Sequence, residues 1–178
     1  GAGDDTLSLS NTSATAAYGA GVTTSGIENL SVNAVTATNV DGSLMSGITG
    51  VTNNGSLSAV SVTGLTAIPE VSVLASSANT TVGMTAATTV GTADAITLNL
   101  NGASATAAST VTAEGIETFN VNASGSASGA LTRAVTLTSA NAQTVTITGD
   151  AASAVAANLA GATATATGTV TGNDAANT

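Results

Sequence analysis

Nine residues, Gly26-Ile27-Glu28-Asn29-Leu30-Ser31-Val32-Asn33-Ala34, return 89 residues later as Gly115-Ile116-Glu117-Thr118-Phe119-Asn120-Val121-Asn122-Ala123. At the same offset Asp5-Thr6-Leu7-Ser8-Leu9 returns as Asp94-Ala95-Ile96-Thr97-Leu98. A chain that copies itself at a fixed period uses one supersecondary unit again, each copy burying its apolar face against the next. Inside each copy 23 residues separate the first apolar pair from the second, Leu7 to Leu30 and Ile96 to Phe119. We therefore divide the chain into two repeat units, 1–90 and 91–178, of one continuous coil. The pattern is that of a scaffold being extended.

What can fill such a coil is limited by side-chain size. Hydrophobic residues make up 43% of the chain but aromatic ones only 1%, so the apolar material is almost wholly Ala, Val, Leu and Ile. A roomy globular core would be hard to fill with these. Sheets stacked about 10 Å apart leave a thin interior that small branched side chains can close-pack.

The local signal is period-two alternation, apolar residues on one side and Thr, Ser or Asn on the other, which is the signature of half-buried strands. It recurs at Leu7/Leu9, Leu30/Val32, Val60/Val62, Val71/Val73, Ile96/Leu98/Leu100, Phe119/Val121, Val135/Leu137 and Val145/Ile147. Gly, Asn and Asp cluster between these runs, as short turns require. Val60, Val71 and Val82 follow one another at 11-residue steps, which leaves little room for helices. The expected fold is all-β, a parallel β-helix or β-roll (a β-solenoid) built from tandem repeats; the alternative is a set of antiparallel β-sandwich repeats of the adhesin kind. Ala151 to Leu159 is the segment expected to form a short helix, because Ala has the highest helix propensity. Pro69 is placed at the start of a strand, where its missing N–H is tolerated.

Charge is sparse and one-sided. Ten Asp and Glu face a single cation, Arg133, for a formal net charge of −9. The basic footprint of a nucleic-acid or anionic-membrane binder is missing. Carboxylates without counter-charges repel one another, so a bound cation would favour the folded state, and extracellular Ca2+ is the expected one. With no Cys the redox compartment is not legible. Gly1 opens no charged and apolar leader, and no apolar run approaches the roughly 18 residues of a membrane span, so the chain reads as a piece of a longer one without membrane insertion.

Gly1-Ala2-Gly3-Asp4-Asp5-Thr6-Leu7-Ser8 matches positions two to nine of the Gly- and Asp-rich nonapeptide of calcium-binding β-rolls, and Thr171-Gly172-Asn173-Asp174 is similar to the residues that precede one. Together with the Gly-Ile-Glu strands, the Thr/Ala/Val/Asn bias and the lack of Lys, the chain resembles the calcium-dependent, type I-secreted surface-layer (S-layer) proteins of Gram-negative bacteria and the related RTX repeat adhesins. The resemblance implies a right-handed parallel solenoid with calcium in its turns, secreted and self-associating as a homo-oligomeric lattice or filament at the bacterial cell surface, with cell-surface polysaccharide as a further partner. Gly91-Thr92-Ala93-Asp94 departs from the pattern by keeping only one Asp.

On this reading the candidate calcium ligands are Asp4 and Asp5, then Asn173 and Asp174, then Asp41 in Asp41-Gly42 and Asp150 after Gly149. Each sits where Asp or Asn also serves as an ordinary turn residue. Glu28 and Glu117 occupy matching places, but about four coil turns apart they would lie too far from one another to flank a single glycosidic bond. They are expected to be strand-start acids or calcium ligands. Asn33, Asn99 and Asn122 are candidates for amide ladders, and Thr136/Thr138, Thr144/Thr146/Thr148 and Thr163/Thr165/Thr167 for a flat hydroxyl face that binds ice. With no His, Cys or Lys the hydroxyls lack their usual activating bases, so the chain is not expected to be an enzyme. The expected role is structural; the alternative is a spacer or ligand-binding, ice-binding module of a large adhesin.

Overall fold

The computed structural model describes residues 3–12, 16–18, 23–101, 109–124, 131–149, 153–160 and 167–172. In chain order its strands are β1 (Thr6–Asn11), β2 (Ala16–Tyr18), β3 (Thr24–Ser25), β4 (Asn29–Ala34), β5 (Thr38–Asp41), β6 (Met45–Ser46), β7 (Gly50–Asn54), β8 (Val60–Leu65) and β9 (Glu70–Leu74). They continue as β10 (Thr80–Met84), β11 (Ala95–Asn101), β12 (Ser109–Thr112), β13 (Thr118–Ser124), β14 (Leu131–Thr138), β15 (Thr144–Gly149), β16 (Ser153–Ala160) and β17 (Thr167–Gly172). A 3-10 turn, Gly42–Leu44, is the one helical element among the described residues.

Successive strands alternate between two sheets. The first runs β1-β4-β7-β9-β11-β13-β15-β17 and the second β2-β5-β8-β10-β12-β14-β16, with β3 and β6 forming a small third face on the early turns. Neighbours in both long sheets pair in parallel, for example β1 with β4 and β14 with β16. This is a β-solenoid, and the antiparallel sandwich is excluded. All eight alternating runs read from the sequence are strands; the apolar members of seven belong to a single core from Leu30 to Ile147, and Leu7 and Leu9 of the first pack against it, partly buried.

The 23-residue spacing is one turn of the coil, since Leu7 pairs with Leu30 and Ile96 with Phe119. From Val51 to Val71 a turn takes 20 residues, whereas Val71 to Leu98 takes 27 because a longer connection joins β10 to β11. The 89-residue repeat is therefore not the structural period. Leu7 shares its register column with Leu98, two residues beyond its sequence counterpart Ile96. A slip of two is one full pleat, so inward residues stay inward.

The helix expected over Ala151–Leu159 is not found in its described part: Ser153–Ala160 forms β16, paired at eight positions with β14, and 151–152 lie outside the described residues. Helix propensity favours Ala by only tenths of a kcal/mol over most residues, and a preformed strand edge offers every backbone group a partner. Pro69 stands one residue before β9, as expected.

Candidate functional site: the acidic corner

Four of the ten acids, Asp5, Glu28, Asp94 and Glu117, immediately precede strands of the first sheet, Asp4 stands one residue further back, and Glu70 begins a strand. They line one corner of the solenoid. The chain turns this corner through a repeated backbone device. Asp5 O accepts the N–H groups of Glu28 and Asn29 at 3.2 and 3.0 Å, Glu28 O those of Thr49 and Gly50 at 2.9 and 3.0 Å, and Asp94 O those of Glu117 and Thr118 at 3.0 Å each. Pro69 occupies this position on its own turn, where only Glu70 N reaches Thr49 O, so its missing donor costs the ladder nothing essential.

The two motif glutamates do the same work. Glu28 Oε2 accepts the N–H of Asp5 at 2.9 Å, and Glu117 Oε2 accepts that of Asp94 at 2.9 Å, each reaching back one turn. Glu28 is half-buried, whereas Glu117 is only 4% exposed. The glycine two residues earlier sets up the bend: Gly26 and Gly115 have φ of +66° and +84°, and a Cβ on Gly115 would come within 2.6 Å of Thr89 Oγ1. Four ladder steps separate β4 from β13, about 19 Å at the usual strand spacing, against the roughly 5–10 Å between paired glycosidase carboxylates. Glu28 and Glu117 thus act apart, each at its own corner.

On the outer surface Asp4, Glu28 and Glu70 line an open groove of about 240 Å³ whose floor includes Gly50, Thr52 and Ser72. Gly50 makes the depression, since a Cβ there would lie 2.5 Å from Asn29 Oδ1. Glu70 was missed in reading the sequence, although an acid directly before an inward Val must face outward on a strand. Its Oε1 accepts from Asn99 Nδ2 at 2.6 Å, and Asn99 Oδ1 accepts from Asn122 Nδ2 at 3.3 Å, a ladder over neighbouring strands. Asn33 stands outside that ladder and donates to Asn54 O at 2.7 Å.

Asp41 is remote from this corner. It caps the 3-10 turn, its Oδ1 accepting from Ser43 Oγ at 2.6 Å and Ser43 N at 3.0 Å. These two bonds, the hydroxyl's foremost, hold its carboxyl below the usual carboxylate range. A folded-state pKa lowered in this way adds stability above the ordinary Asp range, lost as pH falls through the lowered value. Replacing Ser43 by Ala is expected to move the Asp41 midpoint upward in a carbon-13 NMR titration; an unmoved midpoint would show that the hydroxyl is not the cause. Asn173, Asp174 and Asp150 lie outside the described residues.

The donors on the acidic corner suit a hard cation in kind. They are carboxylate and carbonyl oxygens, and Asp94 Oδ2 is buried without a hydrogen-bond partner. Calcium takes six to eight oxygens, and among the described residues no three Asp or Glu side chains stand close enough to hold one ion together. Comparison with known protein families, with curated proteins and with solved structures finds no match to this chain. Among the described residues no helix is long and apolar enough to cross a membrane.

Proposed function

We propose that the chain is a structural segment of a secreted bacterial surface protein, self-associating as an S-layer or filament and stabilised by Ca2+, with no catalytic role. The observation that carries this reading is the acidic corner. It sets carboxylates on several turns along one ladder, while the sole cation in the sequence, Arg133, lies on β14 of the other sheet. Cations drawn to the corner relieve that repulsion, and waters or a second copy complete their coordination. A non-catalytic role is supported by the separation of Glu28 from Glu117 and by the engagement of each with a backbone N–H.

Calcium at about thirty times its dissociation constant is expected to add about 2 kcal/mol per site, with affinities of about 0.1–1 mM as in extracellular modules. EDTA should lower the melting temperature and disperse the assembly. A melting curve and particle size that ignore both calcium and EDTA would reject the proposal. A second reading, the spacer or ice-binding module of an adhesin, is favoured by the column Ser31, Thr52, Ser72, Asn99, Asn122 and Thr148 on the outer face of the first sheet. A chain that stays monomeric in calcium and depresses the freezing point of water non-colligatively would select it.

A further inference from the structure

The acids gather where the chain enters the first sheet. Where it leaves that sheet, five or six residues later and about 17–20 Å away, the surface is of the opposite kind. Three successive turns are described in full at this second corner: 34–38 between β4 and β5, 54–60 between β7 and β8, and 74–80 between β9 and β10. None of their residues carries a charge. Of the three large hydrophobic side chains exposed among the described residues, two stand here, Val35 at 43% and Leu57 at 78%. Ala37, Ala59 and Ala75 are exposed beside them, and Leu74 is half-buried.

The strip is held firmly. Leu57 N–H and Ser58 N–H both donate to Ala34 O, at 2.8 and 3.1 Å, and Gly55 N–H donates to Leu74 O at 2.8 Å. Ser58 Oγ donates to Val35 O and Ser76 Oγ to Ser56 O, each at 2.9 Å, so every turn is stitched to the one before it. Little chain freedom is lost when a surface fixed in this way is covered.

Charge decides what covers it. The outer faces of both sheets carry acids, Glu70 on the first and Asp41 on the second, and the acidic corner carries more. Two copies of a chain with a net charge of −9 repel one another over all of these surfaces. A basic partner would be drawn to the acids instead. On the uncharged strip a second copy is met without that repulsion, and its own acidic corner points away.

We infer that this strip is a contact between two copies of the chain, made without calcium. A two-fold axis through the middle turn sets Leu57 against its counterpart and each flanking turn against the other, an isologous pairing with both acidic corners facing outward. Three turns span only about 14 Å along the coil, short of a standard interface, so the pair is weak alone. Cations joining the outward corners then add a second, independent link per copy, and two links extend an assembly that one would stop at a pair. Only that larger assembly rests on the self-association proposed above; the pair itself needs no calcium.

A chain without Cys lets one introduced thiol report on its neighbour. Leu57→Cys, oxidised with diamide in EDTA on the full chain, is expected to form a disulfide-linked dimer at least about tenfold faster than Thr63→Cys, whose position on β8 is also exposed. Sedimentation equilibrium in EDTA should show a monomer–dimer equilibrium for the unaltered chain, and Leu57→Asp should raise its dissociation constant at least about tenfold, as loss of a buried Leu and a new charge demand. If Leu57→Cys cross-links no faster than Thr63→Cys, or if Leu57→Asp with an unchanged melting curve pairs equally well, the contact is wrong, and assembly in calcium is judged by its own test. A pair that forms through Leu57 in EDTA and to which calcium adds nothing would uphold the contact and reject the calcium-stabilised assembly.

Discussion

Replacing Phe119 by Ala is expected to cost about 3–5 kcal/mol, the range for truncating a fully buried aromatic. Phe119 is 0% exposed and pairs in register with Ile96 on β11 and Val145 on β15, themselves 2% and 5% exposed. It is the chain's only Phe, set among Leu, Ile, Val and Ala. The void would persist, because the strands on either side are held at hydrogen-bonding distance by their ladders and cannot close over it. Phe119→Leu keeps most of the volume and should lose less than about 1.5 kcal/mol. Urea titration of the two variants against the unaltered chain measures both; a loss below about 1 kcal/mol for Ala would mean that this turn is not close-packed.

Glu117→Ala is expected to be the most damaging change at the acidic corner, at about 2–3 kcal/mol, the value of a hydrogen bond to a charged group together with the donor left unpaired. The Glu117 side chain is the acceptor for Asp94 N–H, while its backbone stitches the same turn to Asp94 on one side and to Gln143 and Thr144 on the other. Glu117→Gln keeps an acceptor oxygen and should recover about half of the loss, since charge assistance roughly doubles such a bond. Glu28→Ala should cost less, because Glu28 is half-buried and water can replace it beside Asp5. Hydrogen exchange at the Asp94 amide reads the effect locally. Unchanged protection in Glu117→Ala would show that the carboxylate does not secure the corner.

Where the core is aliphatic its strands are legible directly; where it is polar they are not. Strands β5, β7, β10 and β12 bury Thr38, Asn53, Thr80 and Ser109 at inward positions, so the apolar alternation fails there. Thr38, Asn53 and Thr80 are tolerated because they pair across the corner: Asn11 Nδ2 donates to Thr38 Oγ1 at 2.8 Å, and Asn53 Nδ2 to Thr80 Oγ1 at 2.8 Å. Such pairs lie 27 residues apart, beyond any local pattern. Ala-rich β16 was misjudged for a related reason, since its strand state comes from β14 and not from its own propensity.

By itself the amino-acid sequence determined an all-β chain of short strands and favoured the parallel coil over an antiparallel sandwich, because a returning Gly-Ile-Glu strand, a 23-residue spacing and small aliphatic side chains suit the burial of one face per strand. It also marked Glu28 and Glu117 as equivalent. Only the tertiary structure decided that the strands pair in parallel, that these carboxylates clasp the backbone of the preceding turn, that Asp4, Glu28 and Glu70 share a groove, and that the second copy lies one pleat out of register with the first, Leu7 standing in line with Leu98. The physical reason is that each of these depends on how many residues a corner consumes. That number, 20 for one turn and 27 for the next, is set by how the connections fold and not by the strands they join.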